Sequence, residues 1–125
     1  MPEPILDILI RFNGPIVRLT DGSVVMIAFC GKAAGPIFTG IVEPCGVDTQ
    51  ICGHLSARYM LTGKDSAGAG CHIYVENNGD SLERTVPTFH TDSEVLRGVL
   101  AAGSFYGKGS EEADGLHIRF YSIPL

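Results

Sequence analysis

Residues 40–53, GIVEPCGVDTQICG, hold the densest group of chemistry-bearing side chains in the chain. Cys45 and Cys52 flank Asp48 and Gln50. Two thiols could make a metal knuckle or a disulfide loop, and an acid beside an amide could line a binding site. Zinc sites usually leave about two to four residues between paired cysteines and about three to five between paired histidines. Neither spacing occurs among Cys30, Cys45, Cys52 and Cys71 or His54, His72, His90 and His117. Cys71 and His72 are adjacent, but neighbours on a strand point to opposite faces. No metal and no cofactor is expected, and the four cysteines read as free thiols packed as small apolar residues. Cys45 stands in a Pro-Cys-Gly turn with no base or cation beside it in sequence, so it lacks what activates a thiolate.

Two other stretches invite a chemical reading. Gly63 to Gly70, GKDSAGAG, does not match the phosphate-binding P-loop and lacks the helix that a dinucleotide fingerprint needs. It is expected to be a mobile hairpin tip. The run from Leu55 to Leu61 alternates, with Leu55, Ala57, Tyr59 and Leu61 on one face and Ser56, Arg58 and Met60 on the other. From Cys71 onward, Ile73 and Val75 share a face, opposite His72, Tyr74 and Glu76. If these arms pair, Arg58 lies near Tyr74 or Glu76. An arginine seeks acceptor oxygens, a carboxylate above all, and Asp48, Gln50 and Glu76 are the candidates. A solvent-facing ion pair, worth little, is one reading of this arrangement. A polar cluster in a barrel mouth, orienting a ligand, is the other.

The elements that must position these groups are mostly strands. Period-two runs cover residues 5–12, 16–19, 24–30, 38–43, 55–62, 71–76, 85–89 and 116–123, separated by Asn-Gly-Pro, Asp-Gly and other turn signals. Pro87 marks an edge or a bulge. One short helix over 93–100 is admissible, capped by Asp92 or Ser93, with Val95, Leu96, Val99 and Leu100 on one face. Short strands separated by frequent turns suggest an all-β sandwich or barrel. Sixteen glycines favour the barrel, because closed sheets turn corners at glycine.

Composition sets the outer limits. A chain of 125 residues is about one domain, here taken as 1–125, and needs no metal or bridge to fold. It is 45% hydrophobic and only 18% charged, so surface must be buried within the fold or in an oligomer. Net charge is -5 and no window concentrates Lys or Arg, which argues against a nucleic-acid partner. No basic amphipathic segment or long apolar run points to a membrane. The N-terminal MPEPILDILIRF carries acids where a signal peptide needs bases, so a cytoplasmic location is expected.

Taken together, Gly40-x-Val42-x-Pro44-x-Gly46-x-Asp48-x-Gln50, Ala57-Arg58-Tyr59, Ile73-Tyr74-Val75 with Asn78-Gly79, and Pro87-x-Phe89 resemble the family of domain of unknown function 3237, also called UPF0311, in order and spacing. The resemblance runs from about residue 10 to the end. It implies a closed antiparallel β-barrel of about eight or more strands, a homo-oligomer, and no established reaction. Pro44-Cys45-Gly46 stands where that family has Pro-Gly-Gly. A Trp-Leu-Asn stretch of the family is replaced by Gly98-Val99-Leu100.

The reading that follows is a small barrel binding a partly apolar molecule, with Asp48, Gln50, Arg58, Tyr74 and Glu76 as polar contacts and Arg58 holding a carboxylate or carbonyl. One rival is an enzyme using Glu76 with Tyr74 or His90 as an acid–base pair to isomerise or cyclise a ligand. The other is an assembly protein whose barrel is filled by side chains.

Overall fold

The structure, a computed structural model, describes residues 3–101 and 103–123. Its strands are β1 (Leu6–Arg11), β2 (Ile16–Arg18), β3 (Val24–Ala34), β4 (Phe38–Val42), β5 (Gly46–Ile51), β6 (His54–Asp65), β7 (Gly70–Ser81), β8 (Arg84–Thr91), β9 (Phe105–Glu112) and β10 (Gly115–Ser122). One helix, α1 (Glu94–Ala101), lies between β8 and β9. All pairings are antiparallel. The sheet runs β1-β10-β9-β8-β7-β6, passes through β4 and β5 side by side to β3, and closes where β3 pairs β1. The result is a closed eight-position barrel with β4 and β5 sharing one position and β2, paired with β3 at Val25–Ile27, extending the position of β1.

Alternation decides what fills it. Leu6, Ile8, Phe29, Phe38, Leu61, Ile73, Val75 and Phe120 are at most 1% exposed and point inward. Each fully buried aliphatic or aromatic side chain contributes about 1.5–3 kcal/mol relative to exposure. α1 adds Leu96 and Leu100 to this core. Val95 and Val99, expected on the same face, are more than two-fifths exposed. In so short a helix only one narrow stripe can face the barrel.

Glycine moves several strand ends from where the sequence places them. β3 does not stop at Cys30 but runs to Ala34, because Gly31 lets it bend against β1: a Cβ there would lie 2.5 Å from the Leu9 carbonyl oxygen. Gly63 is no hairpin tip. It sits within β6, where a Cβ would collide with the Thr39 carbonyl of β4. The true β6–β7 turn is only 66–69, closed by Asp65 accepting the Ala67 and Ala69 amides at 2.9 and 3.1 Å. Likewise β7 does not end at Glu76, before the turn-like Asn77-Asn78-Gly79, but continues to Ser81 through an irregularity between Asn78 and Ser81. Pro87 pairs with Asn77 on one side, while β8 meets β9 at a single bridge, Thr85 to Gly107. The proline thus lies along the loosest seam of the barrel, where no ladder amide is required.

Among the described residues, no helix is long and apolar enough to cross a membrane.

Candidate functional site

The two ends of the barrel differ. At one end Ser93 caps α1, its Oγ accepting the Leu96 amide at 3.1 Å and donating to Asp65 Oδ2 at 2.7 Å. At the other end, the close of β1, the start of β6 and the β7–β8 and β9–β10 turns surround an open cleft of about 590 Å³. Phe12, Leu55, Leu82 and Leu116 give it apolar walls, and Asp48, Gln50, Glu111, Glu112 and Asp114 give it polar ones. An inner chamber of about 30 Å³ shares Phe12, Asp48, Leu55, Leu82 and Leu116 with it and reaches Phe29, Tyr59, Asn77 and Thr85.

Local sequence explains how these groups arrive there. β5 runs between β3 and β6 with Asp48 opposite Ile27 and Ala57. Its alternation turns Gly46 and Asp48 inward, with Gln50 half-buried on the same side. Gly46 is required by the aromatic wall, since a Cβ there would collide with the Phe29 ring. Phe29 meets Tyr59 edge-on at 5.4 Å and Phe12 edge-on at 6.4 Å between centroids. Gly107 has the same role beneath Thr85, where a Cβ would collide with Thr85 Oγ1.

Asp48 is 6% exposed. Burial raises its carboxyl above the usual carboxylate range, partly offset by the Gln50 amide donating to Oδ2 at 2.9 Å. The Tyr59 hydroxyl, Asn77 Oδ1 and Thr85 Oγ1 are buried and have no hydrogen-bond partner among the described residues. Burial also raises the Tyr59 phenol, which keeps its proton. Buried polar atoms are almost always paired, so three orphans facing one chamber single it out.

The five polar residues named from the sequence divide between two places. Asp48 and Gln50 line the cleft. Arg58, Tyr74 and Glu76 sit together on the outer wall, with Arg58 opposite Glu76 across β6 and β7. Arg58 Nε lies 3.4 Å from Glu76 Oε1, and the Tyr74 hydroxyl donates to the same oxygen at 3.4 Å. The Arg58 side chain is 65% exposed. The geometry therefore does not bring Arg58 to Asp48, and the pairing of Glu76 with Tyr74 or His90 also falls outside the barrel. The physical reason is parity: Tyr59 faces inward, so its neighbour Arg58 cannot.

Tyr59, Asn77 and Thr85 were missed. Asn77 carried a signal, being in phase with inward Ile73 and Val75, but its place in an Asn-Asn-Gly run read as a turn. Tyr59 lay on an apolar face and read as core. Thr85 carried none beyond strand propensity.

The cysteines play no part in the cleft. All four are free, and only Cys71 is buried; Cys45 and Cys52 are exposed, contrary to the packed thiols expected. Cys52 leaves the strand for a turn, at φ 49° beside Gly53 at φ 87°. Among the described residues no three His, Cys, Asp or Glu side chains converge as metal ligands.

Fold and cleft define a class: a small closed antiparallel barrel, open at one end, with an acidic and partly apolar mouth. The chain belongs to the UPF0311 family: it is 37% identical to the UPF0311 protein of Clostridium acetobutylicum, over 97% of this chain and 92% of that protein. No family model matches it. Among solved structures it resembles a protein of unknown function from Clostridium acetobutylicum, at 27% identity and TM-score 0.75, covering 98% of this chain and 95% of that one. It also shares its fold with an enzyme from Penicillium herquei, at 22% identity and TM-score 0.61, covering 99% and 96%.

Proposed function

We propose that this barrel binds a small, partly apolar molecule at its open end, with Asp48 and Gln50 at the mouth and Tyr59, Asn77 and Thr85 beneath them. The observation that carries this reading is the set of three buried polar atoms without partners in one chamber. Each unpaired buried group costs about 1–3 kcal/mol, a cost that a filled barrel would avoid and that a ligand's polar groups would remove. The apolar walls above them supply the rest of the contact, as small-molecule sites do. Arg58, Tyr74 and Glu76 would take part only in a contact on the outer wall. A thermal-shift screen of small polar-tipped hydrophobic compounds tests the reading, repeated on Tyr59→Phe and Thr85→Val. Hits should raise the melting temperature of the native chain and lose most of that shift in the variants. Equal shifts in all three proteins would place binding elsewhere.

Asp48 favours a second reading. A buried carboxyl raised above its ordinary range, in a cavity that a protonated phenol also lines, is suited to acid–base work on a bound ligand. In that case Asp48→Asn abolishes turnover of a ligand it still binds.

A further inference from the structure

The charged side chains lining the mouth share one sign. Asp48, Glu111, Glu112 and Asp114 line the cleft, and among the described residues no Lys, Arg or His lines it or the chamber below. The bases beside the rim do not reach Asp48: His117 lies between Asp7 and the rim acid Glu112, its Nδ1 3.8 Å from the latter, and Arg11 lines an adjoining groove together with Glu112 and Asp114. An acidic rim alone would be an ordinary solvated surface. Asp48 is different, because it is buried, has no cation partner among the described residues and is met only by the neutral Gln50 amide. A buried carboxylate without a cation is costly.

The chamber beneath it repeats the same shortage. Tyr59, Asn77 and Thr85 are 3%, 7% and 2% exposed, and each has an oxygen without a partner among the described residues. The Asn77 oxygen can only accept, and the two hydroxyl oxygens accept as readily as they donate. Aromatic rings of Phe12, Phe29 and Tyr59 share the rest of the wall with aliphatic side chains such as Ile10 and Ile118. Acceptors, a buried carboxylate and aromatic rings together form a cation-recognising surface.

We propose that the mouth selects a small molecule carrying a protonated amine on an apolar body, the amine placed at Asp48 and the body against Leu55, Leu82 and Leu116. This rests on the small-molecule reading above and narrows it. An ammonium group brings three N–H donors and no acceptor, so it supplies what Asp48 and the orphan oxygens lack. The same acids disfavour a carboxylate ligand, because it would bring a like charge to the buried Asp48 and the acidic rim.

Three probes of one shape separate the chemistries: cyclohexylmethylamine, cyclohexylmethanol and cyclohexanecarboxylate, each titrated against the native chain by ligand-observed NMR at neutral pH. The amine should bind roughly tenfold or more tightly than the carboxylate, with the alcohol between them. Asp48→Asn should lose most of that margin. The rim variant Glu111→Gln/Glu112→Gln/Asp114→Asn should lose a smaller part, and only at low salt, because exposed charges are screened. The rim variant also keeps the proposal testable should Asp48→Asn fail to fold. An alcohol that binds as well as the amine overturns the inference and leaves the small-molecule reading standing. A preferred carboxylate, or an amine preference unchanged in Asp48→Asn, also overturns it. Silence from all three probes overturns both.

Discussion

Asp48 and Asp65 are both buried, at 6% and 8% exposure, and they stand at opposite ends of one barrel. Asp65 is fully employed. It accepts two turn amides and the Ser93 hydroxyl, and these bonds, the Ser93 bond foremost, hold its carboxyl below the usual range. Asp48 has a single neutral donor among the described residues, and burial raises it. One aspartate ties a hairpin to a helix cap. The other is left short of partners beneath an open cleft. A buried acid is thus structural or available for binding according to its hydrogen bonds, not its depth.

Breaking the closed end should have the largest effect. Asp65→Ala removes three bonds at once and should lower the melting temperature more than Ser93→Ala, Tyr59→Phe or Arg58→Ala. Ser93→Ala, which removes the helix cap and one of those bonds, should follow at about 2 kcal/mol by urea unfolding. A loss no greater than that of a surface substitution would deny the closed end its role.

Acid sensitivity sharpens the contrast next. Asp65 has a folded pKa below its unfolded value of about 3.9, so its stabilisation is present above that value and is lost as pH falls through the folded one. Asp48 has the opposite sign: stability declines as pH rises from the unfolded value through its raised folded value. Asp48→Asn should therefore melt higher than the native chain at neutral pH, with the gap closing toward about pH 4. A gap that widens in acid would reverse the assignment.

Smaller effects are expected inside the chamber. Tyr59→Phe removes an unpaired hydroxyl and should change stability by less than about 1 kcal/mol, while weakening ligand-induced stabilisation. Smallest of all should be Arg58→Ala on the outer wall, within about 0.5 kcal/mol, since it breaks only an exposed ion pair. A loss of several times that size would mean the outer cluster is more than a solvated pair.

Much of this organisation was legible in the chain. The sorting of Leu55, Ala57, Tyr59 and Leu61 from Ser56, Arg58 and Met60 holds residue for residue, as does the meeting of Arg58 with Glu76. The Ser93 cap and the short helix were visible because capping chemistry is local. Strand ends at Gly31, Gly63 and Asn77 were not, because glycine and asparagine also mark turns. Only contact with another strand shows that Gly63 must be a strand residue.

The sequence by itself determined the alternation and the hairpin order, because each depends on neighbours a few residues apart. Tertiary structure alone decided which face is the inside. Closing β3 onto β1 put Tyr59 and Asp48 within and Arg58, Tyr74 and Glu76 without. A one-residue change of register would have exchanged them. It also decided that Tyr59, Asn77 and Thr85, from three different strands, would face one chamber without partners. No local pattern contains that fact, because an unsatisfied hydrogen bond is defined by what the whole fold leaves out.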